Sequence, residues 1–313
     1  MITTRDLDAL FGRAEHAPPQ APPSAAPAVF WPCDLRDRVP PAVLRWFAQS
    51  LLPGAPLAPA VRLRMRGSLR LGRAWLPFRA DEVLAPRRGF RWSATVAGVI
   101  RGTDRGGAGP GRMRWTLAQL VTLVDADGPD ISRSAAGRAG AEAIWAPAAV
   151  LPGPGVSWSA LDDRHLRVLF DVGDTPVDLH LHLDDAGRLR TFRTMRWGDP
   201  DGTGRWDWHP FGGRVTTTRL FGTSVVPATG AVGWYPDGPD ARRHEFFRFR
   251  LTALTPTGRV PGDGDATARA DRGASDSRGV GDEPPVDADR DPGQRGDPEE
   301  DHVDGCEADH GGQ

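Results

Sequence analysis

Two histidines on one predicted strand have the spacing that best suits metal or acid–base chemistry. In the segment VDLHLHLD, residues 177–184, His180 and His182 lie two residues apart, so both side chains project from the same strand face. Such a pair can supply two ligands of a zinc site, and the third must come from another histidine or an aspartate. Histidines on a polar strand face are more often solvated. We therefore expect no metal and no cofactor.

The loop DPDGTGRWD, residues 199–207, has the alternating oxygen-bearing side chains of a calcium-binding loop. Aspartates and Thr203 occupy alternate positions, and a glycine occupies the sixth. Position twelve is Pro210 instead of a bidentate glutamate, and strands rather than helices are predicted on both sides. The pattern therefore favours a hairpin turn built from Asp and Gly.

No established catalytic motif is present. The sequence contains no nucleophile elbow, phosphate-binding glycine loop, HExxH motif or CxxC pair. We therefore assign no catalytic residue. An enzyme remains the second hypothesis, one that acts on a small molecule with His180, His182 or His209 as acid or base.

The tryptophans, eleven in all, are more informative. Four of them and the single tyrosine lie in residues 191–235, among glycine-rich turns and β-branched runs typical of antiparallel strands. Aromatic residues are first of all a core, but on the one-sided strands of a half-barrel they also line an apolar interior. The histidine pair joins the candidates if its face is the inner one. The predicted ligand-binding residues are Trp92, Trp115, Trp197, Trp206, Trp208, Trp234, Phe247, Arg79, Arg196, His180 and His182.

Alternating apolar and polar residues predict a series of one-sided strands to position these side chains. The run VRLRMRGSLRL, residues 61–71, is the clearest case. The glycine-rich stretch RGTDRGGAGPG, residues 101–111, is predicted as a loop. Further strands are predicted over residues 75–84, 90–100, 113–124, 156–159, 164–171, 177–184, 188–197, 206–215, 217–221, 225–234 and 244–254.

Two helices are predicted, over residues 40–52 and 134–145. The first begins with two prolines, carries an apolar stripe at helical spacing and ends before a Pro-Gly pair. The second consists of small residues, which suit close approach to a sheet.

Together these elements predict a mainly β (α+β) domain over residues 40–254. It is a strongly curved antiparallel sheet, or incomplete barrel, of about eleven strands, with the two helices packed on or across its concave face. Residues 1–39 are rich in Pro and Ala, and residues 255–313 in Gly, Asp, Arg and Pro. Both are predicted to be disordered because they hold too few large apolar residues to offset the entropy of ordering.

Charge is divided unevenly along the chain. The net charge is −2, but residues 255–313 hold 16 acidic and 6 basic residues, a net of −10, which leaves +8 for residues 1–254. The basic residues, all arginine, lie singly along the strands, which argues against nucleic-acid binding. The acidic tail is a candidate for binding a protein partner. We expect a cytoplasmic protein without a transmembrane segment, since neither a signal-peptide pattern nor a run of about 20 apolar residues occurs.

Several segments resemble a bacterial family of uncharacterised proteins, a domain of unknown function. They are PAVLRWFAQSLLPGAP, VRLRMRGSLRLGRAWLPFRADEVL, FRWSATV, AEAIWAPAAVLPGPGVSWSALDD and FGGRVTTTRLFGTSVVPATGAVGW, and they span residues 40–254. The resemblance implies no catalytic residue, because the family has no established activity. The strand-rich layout is also similar to the periplasmic lipoprotein-carrier fold, an incomplete antiparallel barrel whose helices close over acyl chains.

The leading functional hypothesis is non-catalytic binding of a hydrophobic ligand, such as an acyl chain, a lipid or an isoprenoid. Apolar strand faces would form the wall of a half-barrel cavity, the helices a lid, and Arg79 or Arg196 would hold a head group. The third hypothesis is a scaffold that binds a protein partner through a sheet edge and the acidic tail.

Overall fold

A computed structural model of the chain describes residues 28–258, apart from residue 239. The predictions for residues 1–27 and 259–313, which make up most of the two segments expected to be disordered, lie outside the described residues.

Thirteen antiparallel strands form one continuous sheet. Two short strands, β1 (Val29–Phe30) and β2 (Ala55–Pro56), pair separately. The strands of the main sheet are β3 (Ala60–Leu71), β4 (Ala74–Ala85), β5 (Gly89–Val96), β6 (Ile100–Gly107), β7 (Arg112–Leu117), β8 (Val121–Asp127), β9 (Val156–Ala160), β10 (His165–Val172), β11 (Thr175–Leu183), β12 (Leu189–Gly198), β13 (Asp207–Phe221), β14 (Ser224–Trp234) and β15 (Glu245–Thr257).

The sheet consists of two meanders joined at its centre. Strands β3 to β8 follow one another outward on one side, and strands β15 back to β9 follow one another on the other. The two meanders meet where β3 pairs with β15, so β8 and β9 are the edge strands.

The count of thirteen strands corrects the predicted number of about eleven. The stretch predicted as a loop forms most of β6, because Gly102 leaves room for the Trp115 ring and inward-facing Asp104 accepts a bond from the Trp115 indole. The run over residues 113–124 is a hairpin of β7 and β8 rather than one strand. In the opposite sense, the two strands predicted over residues 206–215 and 217–221 are one strand, β13 (Asp207–Phe221), with register shifts around Thr217 instead of a break.

Two α-helices lie in the described part of the chain, as predicted, with shifted bounds. Helix α1 (Pro41–Ser50) lies inside its predicted range. Helix α2 (Pro129–Ala141) begins five residues earlier than predicted, because Pro129 suits the first helical position. It passes into a 3₁₀ turn, Glu142–Trp145, that completes the predicted range. No helix in the described part of the chain has the length and apolarity needed to cross a membrane.

Helix α2 lies inside the curve of the sheet. It packs against β5 and β6 in one meander and against β10, β11 and β12 in the other. We call the two meanders the arms of the sheet, and both arms must bend around α2. Helix α1 packs against β9 and β14. The predicted architecture of a mainly β, curved antiparallel sheet with two helices is therefore confirmed.

The packed chain begins before the predicted domain boundary at residue 40. Phe30 of β1 and Leu35 of a short 3₁₀ turn (Pro32–Leu35) are both buried, and the Phe30 ring lies 6.5 Å from that of Phe47 in α1. At the other boundary, β15 continues to Thr257.

Candidate functional site

Antiparallel strands turn back alternately at the two ends of the sheet, and six turns therefore share one end. They follow β3, β5, β7, β10, β12 and β14. We call this the open end, because α1 lies at the opposite end, where Leu51 forms a bridge to Ser224 at the start of β14.

A cavity of about 480 Å³ lies on the concave face between the end of α2 and the strands near the open end. Small-molecule sites have volumes of about 300–1,000 Å³. Leu71, Leu123 and Val124 both line the cavity and are exposed at the open end, so they mark its mouth. Most of the wall is aromatic, with rings from Trp92, Trp115, Trp145, Phe192, Phe211, Trp234, Phe246 and Phe247.

The aromatic wall is held together by ring contacts between neighbouring strands. The Trp92 ring centroid lies 5.7 Å from that of Trp115 and 6.3 Å from that of Phe247. On the other arm, Phe211 meets Trp234 edge-on at 5.2 Å. Aromatic pairs at these separations add stability beyond the area they bury. The wall is therefore a packed surface and not a set of loose side chains.

A buried cluster of two arginines and three carboxylic acids adjoins this wall. At its centre, Arg138 of α2 donates from Nε to Glu142 Oε1 at 2.8 Å and from Nη1 to Asp104 Oδ2 at 3.2 Å. Its Nη2 lies 3.5 Å from Glu82 Oε1. Burial alone would lower the pKa of Arg138, but the three carboxyl groups outweigh it and raise that pKa.

Glu82, on the inner face of β4, is 1% exposed. Burial, and then the neighbouring Glu142, raise its pKa well above the ordinary value, against the opposing charge of Arg138. Among the described residues, no hydrogen-bond donor reaches either Glu82 oxygen or Glu142 Oε2. A proton on Glu82 supplies a donor toward Glu142 and balances the two guanidinium groups against two remaining carboxylates. We therefore expect Glu82 to be protonated.

Asp104 links the cluster to the aromatic wall. Its Oδ1 accepts a hydrogen bond from Trp115 Nε1 at 2.9 Å, while Oδ2 faces Arg138. Burial raises the pKa of Asp104, although Arg138 and the indole bond both oppose the shift. The orientation of the Trp115 ring is thus fixed by a polar contact at its back.

Arg196, on the inner face of β12, is the cation without a carboxylate. Its Nε and Nη2 donate to the backbone oxygen and Oγ of Ser134 at 3.1 and 3.2 Å, and its guanidinium lies 4.7 Å from the Phe211 ring. Within the described part of the chain it forms no ion pair. Burial, and then the charge of Arg138, lower its pKa to about 9. Because a guanidinium stays charged near neutral pH, Arg196 presents to the cavity a positive charge that has no carboxylate at hydrogen-bond distance.

The cavity brings together five of the residues predicted from sequence: Trp92, Trp115, Trp234, Phe247 and Arg196. Sequence reasoning did not select Glu82, Asp104, Arg138 or Glu142 as ligand-binding residues. For Glu82 a signal was available, because Phe78, Glu82 and Leu84 share one phase of an alternating strand. For the other three, the neighbouring residues in sequence gave no comparable pattern.

The remaining predicted residues lie elsewhere. Trp197 donates to Asp130 at the start of α2 at 2.8 Å, and its ring packs 5.6 Å from that of Trp208 on β13. Trp206 lies in the loop before β13, and Arg79 is exposed on the outer face of β4. Whether any predicted residue contacts a ligand stays a prediction.

His180 and His182 lie on the outer face of β11, since the leucines that alternate with them are buried. His180 Nε2 is 3.0 Å from Asp178 Oδ1, and the His182 ring stacks on His165 at 4.5 Å. Burial lowers the pKa of His180. Among the described residues, no group of three potential metal ligands is suitably placed. Acid–base chemistry by these two histidines inside the cavity therefore lacks a geometric basis.

The loop over residues 199–207 is organised by one aspartate. The carboxylate of Asp199 accepts from the backbone N–H groups of Thr203 at 2.9 Å and Gly204 at 2.6 Å. The oxygens that a calcium ion would need thus already hold the turn, as the hairpin interpretation requires.

A wider groove of about 640 Å³ includes outer-face residues of the sheet, among them Leu169, Met195 and Trp208. Two of these, Leu169 and Met195, are exposed to solvent. A shallow groove of this kind buries less of a ligand than the aromatic cavity does, and it has no counterpart to Arg196. The cavity on the concave face is therefore the better candidate.

Comparison with known proteins gives a family without an assigned activity. Residues 29–247 match the model described as "Family of unknown function (DUF6544)". No curated protein matches the chain.

Solved structures with related architecture are only distantly similar. A putative outer membrane lipoprotein-sorting protein domain from Vibrio parahaemolyticus has a TM-score of 0.38 and 10% identity, covering 71% of this chain and 94% of its own. A DUF1329 family protein from Desulfovibrio piger has a TM-score of 0.31 and 10% identity, covering 69% of this chain and 91% of its own. A LolA superfamily protein from Nitrosomonas europaea has a TM-score of 0.32 and 9% identity, covering 64% of this chain and 86% of its own. TM-scores of this size are too low to carry a function to this chain.

Proposed function

Since the chain belongs to the DUF6544 family, a family of unknown function, its role must be inferred from its own geometry, and we propose that it binds a hydrophobic ligand carrying an anionic group. The ligand lies in the cavity on the concave face, and the chain performs no chemistry on it. Acyl chains, lipids and isoprenoids with a carboxylate or phosphate belong to this class.

The observation that carries the proposal is one cation with no carboxylate at hydrogen-bond distance, in a cavity whose other charged lining residues, Asp104, Arg138 and Glu142, are paired with one another. Arg196 contacts only Ser134 and aromatic ring faces at close range, while Arg138 beside it is saturated with carboxyl groups. Guanidinium groups bind carboxylate and phosphate oxygens through charge-assisted hydrogen bonds. The position of Arg196 therefore favours an anionic head group over a neutral one.

The aromatic wall favours a long apolar body. Each methylene group moved from water into such a cavity gains about 0.8 kcal/mol before the costs of association. The rings of Trp92, Trp115 and Trp234 offer wide contact surfaces, and the exposed lining residue Leu123 continues the apolar surface to the mouth. A ligand can thus place its head near Arg196 and direct its chain toward the open end.

The direct test compares dodecanoic acid with 1-dodecanol, which share a chain and differ in charge. Binding to the full-length protein is followed by tryptophan fluorescence, because several cavity residues are tryptophans. We expect the acid to bind about tenfold more tightly, in line with about 1.5–3 kcal/mol for a hydrogen bond to a charged group.

The Arg196→Gln variant should bind the acid as weakly as the alcohol and leave the affinity for the alcohol unchanged. Arg79→Gln is the matched control, because Arg79 is exposed on the outer face of the same sheet. Absence of saturable binding for both probes would contradict the proposal as a whole. Equal affinities for the acid and the alcohol would contradict only the proposed preference for an anionic group, and the binding of a hydrophobic ligand would stand. The cytoplasmic location and a protein partner for the acidic tail remain predictions from sequence.

A further inference from the structure

Three neighbouring turns at the open end expose apolar side chains beside the cavity mouth. Leu120 is 88% exposed, Val121 55% and Val99 51%. Leu71 and Leu123, which line the mouth, are also exposed. We call these five residues the rim patch. Exposed apolar residues that cluster, rather than occur singly, mark an interaction surface.

The rim patch is continuous in space. Its turns follow β3, β5 and β7, which alternate with their partners along one arm of the sheet. The backbone N–H of Ala118 donates to the carbonyl of Val99 at 2.9 Å and joins the second turn to the third. Because Leu71 and Leu123 line the same cavity, the first and third turns flank one mouth.

The turns that carry the rim patch bear only positive charge. Residues 69–75, 97–101 and 117–124 contain Arg70, Arg73 and Arg101 and no aspartate or glutamate. Arg73 and Arg101 are exposed, whereas Arg70 donates to the carbonyl of Arg243. An apolar surface flanked by cations is complementary to a bilayer interface with anionic head groups.

We propose that the rim patch docks on the surface of a bilayer that contains anionic lipids. Leu120 and its neighbours enter the interface, and Arg73 and Arg101 contact head groups. A second copy of the chain fits these observations less well, because Leu120, Val99 and Leu71 lie at turns rather than along the free edge of β8. The docking does not rest on the proposed function, since it needs no ligand in the cavity.

Co-sedimentation of the full-length protein with vesicles tests the docking. We expect binding to vesicles of phosphatidylcholine with phosphatidylglycerol, weaker binding to phosphatidylcholine alone, and loss of binding at high salt. Leu120→Asp should weaken binding at least about tenfold, because a charged side chain replaces an apolar one in the interface.

Leu220→Asp is the matched control, since Leu220 is 53% exposed but lies near the turn after β13, at the opposite end of the sheet. Circular dichroism confirms that both variants fold. Failure of the wild type to bind either vesicle would overturn the proposal, and so would equal loss in the two variants. Concentration-dependent dimers that disappear in Leu120→Asp, without vesicle binding, would assign the patch to a contact between copies instead.

Discussion

At the scale of single residues, Arg138 determines the electrostatics of the cavity. It faces three carboxyl groups, which occupy its guanidinium group on all sides. Its positive charge also repels Arg196. Arg196 is left with a neutral hydrogen-bond partner and ring faces at close range, while Glu142 and Asp104 attract it from a longer distance. Glu82 lacks a close hydrogen-bond donor, because Arg138 donates its hydrogen bonds to Asp104 and Glu142 instead. Protonation of Glu82 and anion binding at Arg196 are therefore two consequences of one shared guanidinium.

Glu82→Gln tests the protonation. A neutral amide replaces a neutral carboxyl group in the folded state and removes the cost of protonating Glu82 on folding, so the free energy of unfolding near neutral pH should not fall. Glu142→Gln is the control, because it removes the 2.8 Å ion pair to Arg138 and should cost about 3–5 kcal/mol. Urea unfolding followed by fluorescence measures both. Equal losses in the two variants would show that Glu82 is ionised.

The pH dependence of stability follows from the raised pKa of Glu82. The folded state holds this proton more tightly than the unfolded state, so the stabilising contribution is complete below the ordinary value of 4.5 and is lost as pH rises through the raised pKa. Over that window the wild type should lose up to about 1.4 kcal/mol per pH unit relative to Glu82→Gln. Urea unfolding of the two proteins over a pH series measures the difference. Parallel profiles would contradict the shift.

At the scale of elements, α2 reaches the strands closely because the face toward them carries little side chain. A β carbon on Gly140 would lie 2.5 Å from Val177 Cγ2, and one on Gly137 would lie 3.1 Å from Arg196 Cγ. The glycines lower intrinsic helix stability by about 1 kcal/mol each relative to alanine. Close packing on β11 and β12 offsets that loss and brings Arg138 and Ser134 to the cluster.

Gly140→Leu tests this close approach. The added side chain must push α2 away from Val177, and we expect a loss of at least about 2 kcal/mol in the free energy of unfolding, even though leucine favours helix. Gly109→Ala is the control, because nothing lies within 4 Å of a β carbon there, and it should change stability by less than about 0.5 kcal/mol. A stabilised Gly140→Leu protein would contradict the packing.

At the scale of the whole molecule, α2 connects the two arms of the sheet by packing against both of them. Strands β6 and β12 lie on different arms of the thirteen-stranded sheet, and α2 packs against both. Neither meander can bury its inner face alone, because each uses α2 as the other side of its core. The cavity is the remaining space between the arms near the open end.

We therefore expect the described region to unfold as one cooperative unit. Tryptophan fluorescence and far-UV circular dichroism should report the same midpoint, and the calorimetric and van't Hoff enthalpies should agree. Residues on both arms contribute tryptophans, so a separate melting of one meander would be visible. Two resolved transitions would show that the arms are independent.

The sequence by itself determined the elements that have a local period. Alternation over residues 61–71 predicted β3 within one residue, and an apolar stripe at helical spacing predicted α1 within two. The strand period and the helix period depend only on residues that are close in sequence. A strand pattern with one apolar face indicates a sheet that curves around a core. The same pattern selected aromatic residues of the wall, including Trp92, and it could have identified Glu82 as inward-facing.

Tertiary structure alone decided the chemistry of the cavity. Asp104 comes from a glycine-rich strand that reads as a loop, Arg138 from a helix of small residues, and Arg196 from the opposite arm. Their charges meet only because the sheet closes around α2, and the sense of that closure also put His180 on the outside. Hydrophobic periodicity is a property of adjacent residues, whereas the neutralisation of a buried charge depends on distances between strands that are far apart in the chain.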